Sequence, residues 1–352
     1  MPRAGALLIS SSEGVLPAAQ RQRERALLDG AALGEMHLHV SSLHGSVLAL
    51  GAFHRTLPTS TDRTASWWRR HTGGAAVASG EGFAIVTIAL PHRSALVADE
   101  RLALRPEQVM NRCVRGVLAW LRRDGLDPLY PGLDAITVHR RTVARLGFTE
   151  TREGPTLFQA IVACSGSFAD TAALLDRLDP EGRVPIRLQA RDEGTSLAQL
   201  GRWAGIPTDR SALARRLADA YAATFPASIG EVVELDPAVT ERLAADGSAD
   251  TAELARPEID GSSVTEHGLL GPVAAVAQVT ANRVDAVALT GDFIAPDWAV
   301  VELAERIVRG ARDADAVRST VRAVFDGNRA YLLGLAPAAL ERLLVRAITE
   351  GS

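Results

Sequence analysis

Arg69-Arg70-His71-Thr72-Gly73-Gly74-Ala75-Ala76-Val77-Ala78-Ser79-Gly80-Glu81-Gly82-Phe83 is the segment on which the reading of this chain turns. An arginine pair runs into a loop of small residues. The loop runs into Ala84-Ile85-Val86-Thr87-Ile88-Ala89-Leu90, an apolar, partly β-branched stretch that reads as a buried strand. Small residues let a backbone approach another group closely, and successive N–H groups in such a loop can hold an anion. Arginines beside it add a planar fork of donors for carboxylate or phosphate. The segment therefore describes a site for an anionic small molecule, phosphorylated or adenylated. The plainer alternatives are a tight turn at Gly73 and Gly74 and a solvated or structural role for Arg70.

Upstream, residues 1 to 10 read as a first strand and residues 17 to 28 as a charged helix with Pro17 at its first position. Residues 36–40 and 46–51 read as two strands joined by a turn at Leu43-His44-Gly45. Trp67 and Trp68 precede the loop, and one of the two is expected to pack in the core. Downstream, residues 107–123 carry the clearest helical periodicity, with Val109, Met110, Cys113, Val114, Val117, Leu118 and Leu121 on one face and Gly125 at the end. Cys113 is thereby a core residue. Strands follow at 135–138 and 157–163, separated by a polar segment with Arg140, Arg141, Arg145 and Arg152. Helices are expected near 169–178, 195–203 and 211–224.

From about 230 the composition turns to Asp, Glu, Ala and Ser, with a short helix near 237–245. Residues 231–265 read as a linker or lid between a first unit, 1–230, and a second, 266–352. The second unit pairs a hairpin, 274–280 with 284–290, and three helices near 297–309, 313–325 and 337–348.

The bulk numbers exclude several classes. A net charge of −4 gives no basic field to recruit nucleic acid. No run of eighteen apolar residues is present to span a membrane, and the opening segment is too short in apolar residues for a signal peptide. Two cysteines in 352 residues rule out a disulfide framework and fit a reducing cytoplasm. Cys164 ends a strand. His37 and His39 share a strand face but have only Glu35 nearby as a further ligand, so no metal site is expected. All 38 Lys+Arg residues are arginine, so any mechanism needing a lysine of this chain is excluded.

Taken in order, these pieces resemble the lipoate–protein ligases of the biotin/lipoate ligase superfamily. Residues 69–77 are similar to that family's paired-arginine, triple-glycine loop, with Ala75 at the third glycine. Residues 134–147 are similar to its Asn-Asp pair, strand and Gly-Arg-Lys turn. The lysine position falls on Arg141 or Thr142, depending on a one-residue gap. Residues 157–168 stand where the family has His-Gly-Thr and Asn-x-Asp, replaced here by Gln159-Ala160 and Ser165-Gly166-Ser167. Thr195-Ser196-Leu197 is similar to the helix entry that follows, and Gly291-Asp292-Phe293 to the start of the accessory domain. Cys164 lies away from the position where octanoyl transferases of the superfamily carry a nucleophilic cysteine.

The resemblance implies an α+β protein with a mixed-sheet catalytic domain and a small α+β C-terminal accessory domain. It implies ATP as cosubstrate, with Mg left open, and lipoate or octanoate as the acyl group. The implied acceptor is a lysine on a lipoyl carrier domain. It puts Arg141 in the catalytic position. Arg69, Arg70, Thr72, Gly73, Gly74, Ala75, Val77, Asp134, Thr142 and Gln159 fall at the ligand. The alternative is a non-catalytic paralogue that binds the acyl ligand or the carrier domain as a sensor or regulator.

Overall fold

The computed structural model describes residues 5–57, 65–98, 100–180, 194–201, 209–236, 238, 259–281, 283–310, 313–325 and 329–350. Its first unit contains β1 (Gly5–Val15), α1 (Pro17–Ala32), β2 (Met36–Leu43), β3 (Ser46–Leu50), β4 (Ala65–Arg69), β5 (Val77–Gly80) and β6 (Phe83–Leu90). These are followed by α2 (Val109–Arg123), β7 (Pro128–Leu129), β8 (Ala135–Val138), β9 (Arg141–Glu150), β10 (Thr156–Ala163), α3 (Thr171–Leu178), α4 (Arg210–Thr224) and β11 (Ile229–Glu234).

Eight of these strands form one mixed sheet in the order β11-β1-β2-β6-β10-β9-β8-β7. β1 runs parallel to both β2 and β11, while β2, β6, β10, β9, β8 and β7 pair antiparallel in succession. The parallel β1–β2 pair needs a crossover, and α1 supplies it. Side chains alternate across the sheet, so one strand feeds two cores. Along β6, Val86, Ile88 and Leu90 pack with α2 and α4, Ala89 packs with Leu27, Leu28 and Ala31 of α1, and Ile85 meets the β3–β5 layer.

β2 and β3 are not a hairpin. The chain leaves the large sheet after Leu43, and β3 becomes the centre of a small sheet of order β4-β3-β5, parallel to β4 and antiparallel to β5. Part of the small-residue segment is therefore strand, and the free loop is only 70–76. Trp68 is buried in the core beneath this small sheet, while Trp67 stays partly exposed.

The second unit has β12 (Ser262–His267), β13 (Pro272–Thr280) and β14 (Arg283–Gly291) in an antiparallel sheet. Helices α5 (Asp297–Gly310), α6 (Ala314–Val324) and α7 (Pro337–Glu350) close its core. β11 and β12 reach into the interval 231–265 from either side, and the short helix expected near 237–245 lies outside the described residues apart from Ala238. Residues 195–201 make turns rather than the start of a helix. Gln199 there folds back, its side-chain oxygen accepting from the Ser196 N–H and the Thr195 hydroxyl.

The two cores interlock. Leu270, Ile294 and Tyr331 join the core of the first unit, and Phe53 joins that of the second. Phe53 stacks on Phe293 and Phe148 on Tyr331, each pair with ring centroids 4.2 Å apart.

Candidate functional site

The loop 70–76 links a strand that ends in arginine to a strand of small residues, and Arg70 lies at its base, 1% exposed. One Nη2–H donates to the Ala75 carbonyl at 2.7 Å, drawing the loop into a closed turn. Its Nε and Nη1 have no hydrogen-bond partner. Burial lowers the Arg70 pKa to about 10, against the pull of Asp134, Glu24 and Asp292, so it stays a cation at neutral pH. A buried guanidinium with unused donors is suited to an anionic acceptor.

Thr72 points down onto the sheet, its hydroxyl 3.3 Å from the Gln159 side-chain oxygen. Gly73 rests against Gly147, where an added Cβ would lie 2.8 Å from the Thr72 hydroxyl. Val77 is a core residue of the small sheet. Arg69 is buried and donates to the Thr56 hydroxyl at 2.8 Å.

Between α1 and the sheet lies a buried polar network that motif reasoning missed. Gln159 Nε2 donates to Glu24 Oε1 at 2.7 Å, Gln20 Nε2 to the same oxygen at 3.3 Å, and the His71 N–H to Oε2 at 3.3 Å. The Ser41 hydroxyl donates to Gln20. Three donors on one carboxylate favour its ionised form, but loss of water outweighs them and pushes Glu24 up to about 7. A signal did exist in the sequence. Gln20, Glu24, Leu27, Leu28 and Ala31 fall at helical spacing on the buried stripe of α1, which places a carboxylate inside.

The second missed feature joins the two units. His54 and Asp292 are both fully buried, with Nε2 2.8 Å from Oδ1, and His54 Nδ1 lies 3.2 Å from the Gly51 carbonyl. One ring nitrogen thus faces the Asp292 carboxylate and the other a backbone carbonyl, which fixes the ring from both sides. Beside it the Gly74 N–H donates to the Phe293 carbonyl at 2.8 Å. A Cβ on Gly73 would collide with that same carbonyl. As the chain is folded here, the glycines bring the loop close to residues 293 and 294 of its own second unit. No spacing rule connects residues 238 positions apart.

The remaining expected residues are spread along β9. His139 and Arg140 both have left-handed backbones (φ 49° and 65°), forming the two-residue turn between β8 and β9. Arg141, at the first position of β9, is exposed, and its Nη2–H donates to the Gly194 carbonyl at 3.1 Å. Thr142 is buried, and its carbonyl accepts the Thr195 N–H. The loop crosses β9 at Leu146 and Gly147. At strand rise, Arg141 lies roughly 17 Å further along. Between them Arg145, which no motif singled out, pairs with Asp134 at 3.0 Å. Burial raises the Asp134 pKa in spite of Arg145.

Cys113 and Cys164 are both buried, and burial pushes each thiol up to about 12. His39 is held between the Ser10 and Ser12 hydroxyls, at 2.8 and 3.0 Å, and His37 lies 2.8 Å from Glu35. Among the described residues no group of three or more His, Cys, Asp or Glu is arranged to hold a metal ion, and no helix is long and apolar enough to cross a membrane.

A cavity of about 880 Å³ opens between α1, the Arg69–His71 strand end, the β9–β10 turn and α5. Arg70 lies at its wall.

No family model and no curated sequence matches the chain. Solved structures do. P. falciparum LipL1, crystallised in complex with lipoate, superposes with a TM-score of 0.59 over 92% of this chain and 94% of its own, at 11% identity. The fold is that of the lipoate–protein ligases. A bipartite lipoate protein ligase from Thermoplasma acidophilum, studied with its E2 lipoyl domain, gives 0.50 over 73% of this chain and 99% of its own, at 17% identity. A further T. acidophilum structure, Ta0514 with bound lipoic acid, gives 0.50 at 14% identity. The ligase fold thus accounts for both the mixed sheet and the small C-terminal unit.

Proposed function

We propose that this protein binds a lipoyl- or octanoyl-type carboxylate or its adenylate, with Arg70 holding the anionic group, and passes the acyl group to a carrier-domain lysine. In that reaction the carboxylate attacks the α-phosphate of ATP and pyrophosphate leaves. The carrier amine then attacks the acyl carbon and AMP leaves. Arg70 carries the reading: a fully buried cation with two nitrogens unpartnered, at the base of a small-residue loop, in a fold shared with lipoate-bound ligases. The Ala75 carbonyl accepts from it, Gly74 lies beside it, and Asp134, Glu24 and Asp292 act on its charge, while Thr72 of the same loop bonds to Gln159. Arg141 is the candidate for the phosphate, with one nitrogen donating to the Gly194 carbonyl.

The test is calorimetric titration with lipoate, with ATP and with a non-hydrolysable lipoyl-adenylate analogue. Arg70→Ala is expected to weaken analogue binding by about 1.5–3 kcal/mol, the scale of a hydrogen bond to a charged group. An unchanged dissociation constant defeats the assignment.

A second reading, a binder without turnover, is favoured by the Gly74 N–H, which the Phe293 carbonyl already engages. Pyrophosphate release with ATP and lipoate separates the two readings.

A further inference from the structure

We propose that Glu24 on α1 is a positioning residue for the anion site. With Arg21, one turn earlier on the same helix, it fixes the main chain on either side of Arg70, and its charge sets how tightly Arg70 holds an anion. This rests on the reading of Arg70 given above and adds what holds that residue in place.

Arg21 and Glu24 are three residues apart, so they are neighbours on one side of α1. Arg21 Nη1–H donates to the Arg69 carbonyl at 2.9 Å, and Glu24 Oε2 accepts the His71 N–H at 3.3 Å. One helix turn thus grips the residues before and after Arg70. A further tie runs through the sheet. Gln159 accepts from the Thr72 hydroxyl at 3.3 Å and donates to Glu24 Oε1 at 2.7 Å. The Arg70 N–H donates to the Leu50 carbonyl at 2.9 Å. Every residue from 69 to 72 is therefore tied down. A guanidinium on so fixed a backbone loses little freedom when it takes up a ligand.

Glu24 is fully buried, and a carboxylate there is costly. Packing alone would be met by an apolar residue, as at Leu27 and Leu28 on the same stripe. The carboxylate adds an acceptor for the His71 N–H and a charge that supports the Arg70 cation. The charged and titratable groups on the elements packed round it are Arg21 on α1, Arg69 at the end of β4, Arg70 and His71 in the loop, and His37 and His39 on β2. β6 and β10 present Thr87 and Gln159. Burial lowers all three histidines, His39 and His71 to about 3, and raises Glu24 to about 7. Glu24 is thus the member of this cluster whose charge changes near neutral pH. When neutral it still accepts the His71 N–H. When ionised it also offsets part of the Arg70 charge, and an anion there is held less tightly.

Calorimetry on the full-length protein would follow a stable octanoyl sulfamoyl-adenosine, an anion throughout, from about pH 6 to about pH 8. Wild type would be compared with Glu24→Gln, Glu24→Ala, Arg21→Ala and Arg70→Ala. Wild-type affinity is expected to fall severalfold as pH rises through about 7. Glu24→Gln keeps an acceptor but cannot ionise, so it should bind as wild type does at the acid end and stay flat with pH. Glu24→Ala loses the His71 tie and should bind about tenfold or more weakly at every pH, the scale of one hydrogen bond to a charged group. Arg21→Ala, at a partly exposed position, should also weaken binding, and it carries the positioning test if Glu24→Ala does not fold. A wild-type pH slope in Glu24→Gln, or undiminished affinity in the Glu24→Ala and Arg21→Ala variants while Arg70→Ala binds weakly, would overturn the role of Glu24 and leave that of Arg70 standing. A wild type that does not bind the analogue, or an Arg70→Ala variant that binds it equally well, overturns both.

Discussion

Replacing Asp292 by alanine is the most direct probe of how the two units are joined. Both members of the His54–Asp292 pair are fully buried, so solvent cannot stand in for the lost carboxylate. Removing one partner of a buried pair costs about 3–5 kcal/mol, because the other is left desolvated without compensation. Asp292→Asn keeps an acceptor for Nε2 but removes the charge. The cost then falls to about 1–2 kcal/mol, the difference between a charge-assisted and a neutral hydrogen bond. A double-mutant cycle with His54→Ala is expected to show coupling of about 1.5–3 kcal/mol, since the two side chains touch. Urea unfolding gives the stabilities. Amide exchange in residues 70–76 gives the local effect, because the Gly74 N–H donates to the carbonyl of the residue after Asp292. Exchange there should speed up in Asp292→Ala and much less in Asp292→Asn. A loss below about 1 kcal/mol with unchanged exchange would show that the contact does not join the units, and the reasoning would fail.

Gly73→Ala, whose Cβ meets the Phe293 carbonyl, is expected to cost about 1–3 kcal/mol of overpacking, read as a lowered melting temperature and faster exchange at 70–76. The folded-state pKa of Glu24, raised from 4.5 to about 7, means that the fold holds a proton which the unfolded chain has released. Its contribution is full below 4.5 and is lost as pH rises through 7, on the order of 3 kcal/mol in all. Melting temperatures between pH 5 and 8 should fall, and Glu24→Gln should flatten much of that slope. Glu150, also raised to about 7 by burial, supplies slope of the same sign. Wild-type pyrophosphate release with ATP and lipoate is expected well below roughly one per second, an ordinary enzyme rate. Arg141→Lys or Thr142→Lys is expected to raise it, and faster wild-type turnover would refute a disabling loss of lysine. Intact mass after incubation should show no acylation beyond the N-terminal amine, because the chain has no lysine to label.

Much of the architecture was legible. The stripe through Val109, Cys113 and Val117 set α2, and the alternation from Ala274 to Thr290 set the terminal hairpin, because both signals are local and periodic. β3 was found but its partners were not. Sheet membership depends on where the chain turns after Leu43, and His44-Gly45 fits a hairpin as well as a crossing between sheets. At the candidate site, the motif singled out Arg70 and the glycines but gave no sign of what packs against them. Phe293 and Ile294 carry no mark of their target, and His54 with Asp292 gains meaning only in contact. Arg145 was hidden by its own motif, where attention went to the turn before it.

The cover over Gly73 and Gly74 also has a place in time. Asp292 is translated 238 residues after His54, so a ribosome carries the loop uncovered through most of synthesis. Early-made segments fold first. The nascent sheet must therefore wait with Phe53 and Phe148 lacking the rings they later stack on, Phe293 and Tyr331. A message cut short before Gly291 yields a nearly complete first unit with two aromatic faces in water. The first unit is thus closed only by residues made after it, Phe293 and Tyr331.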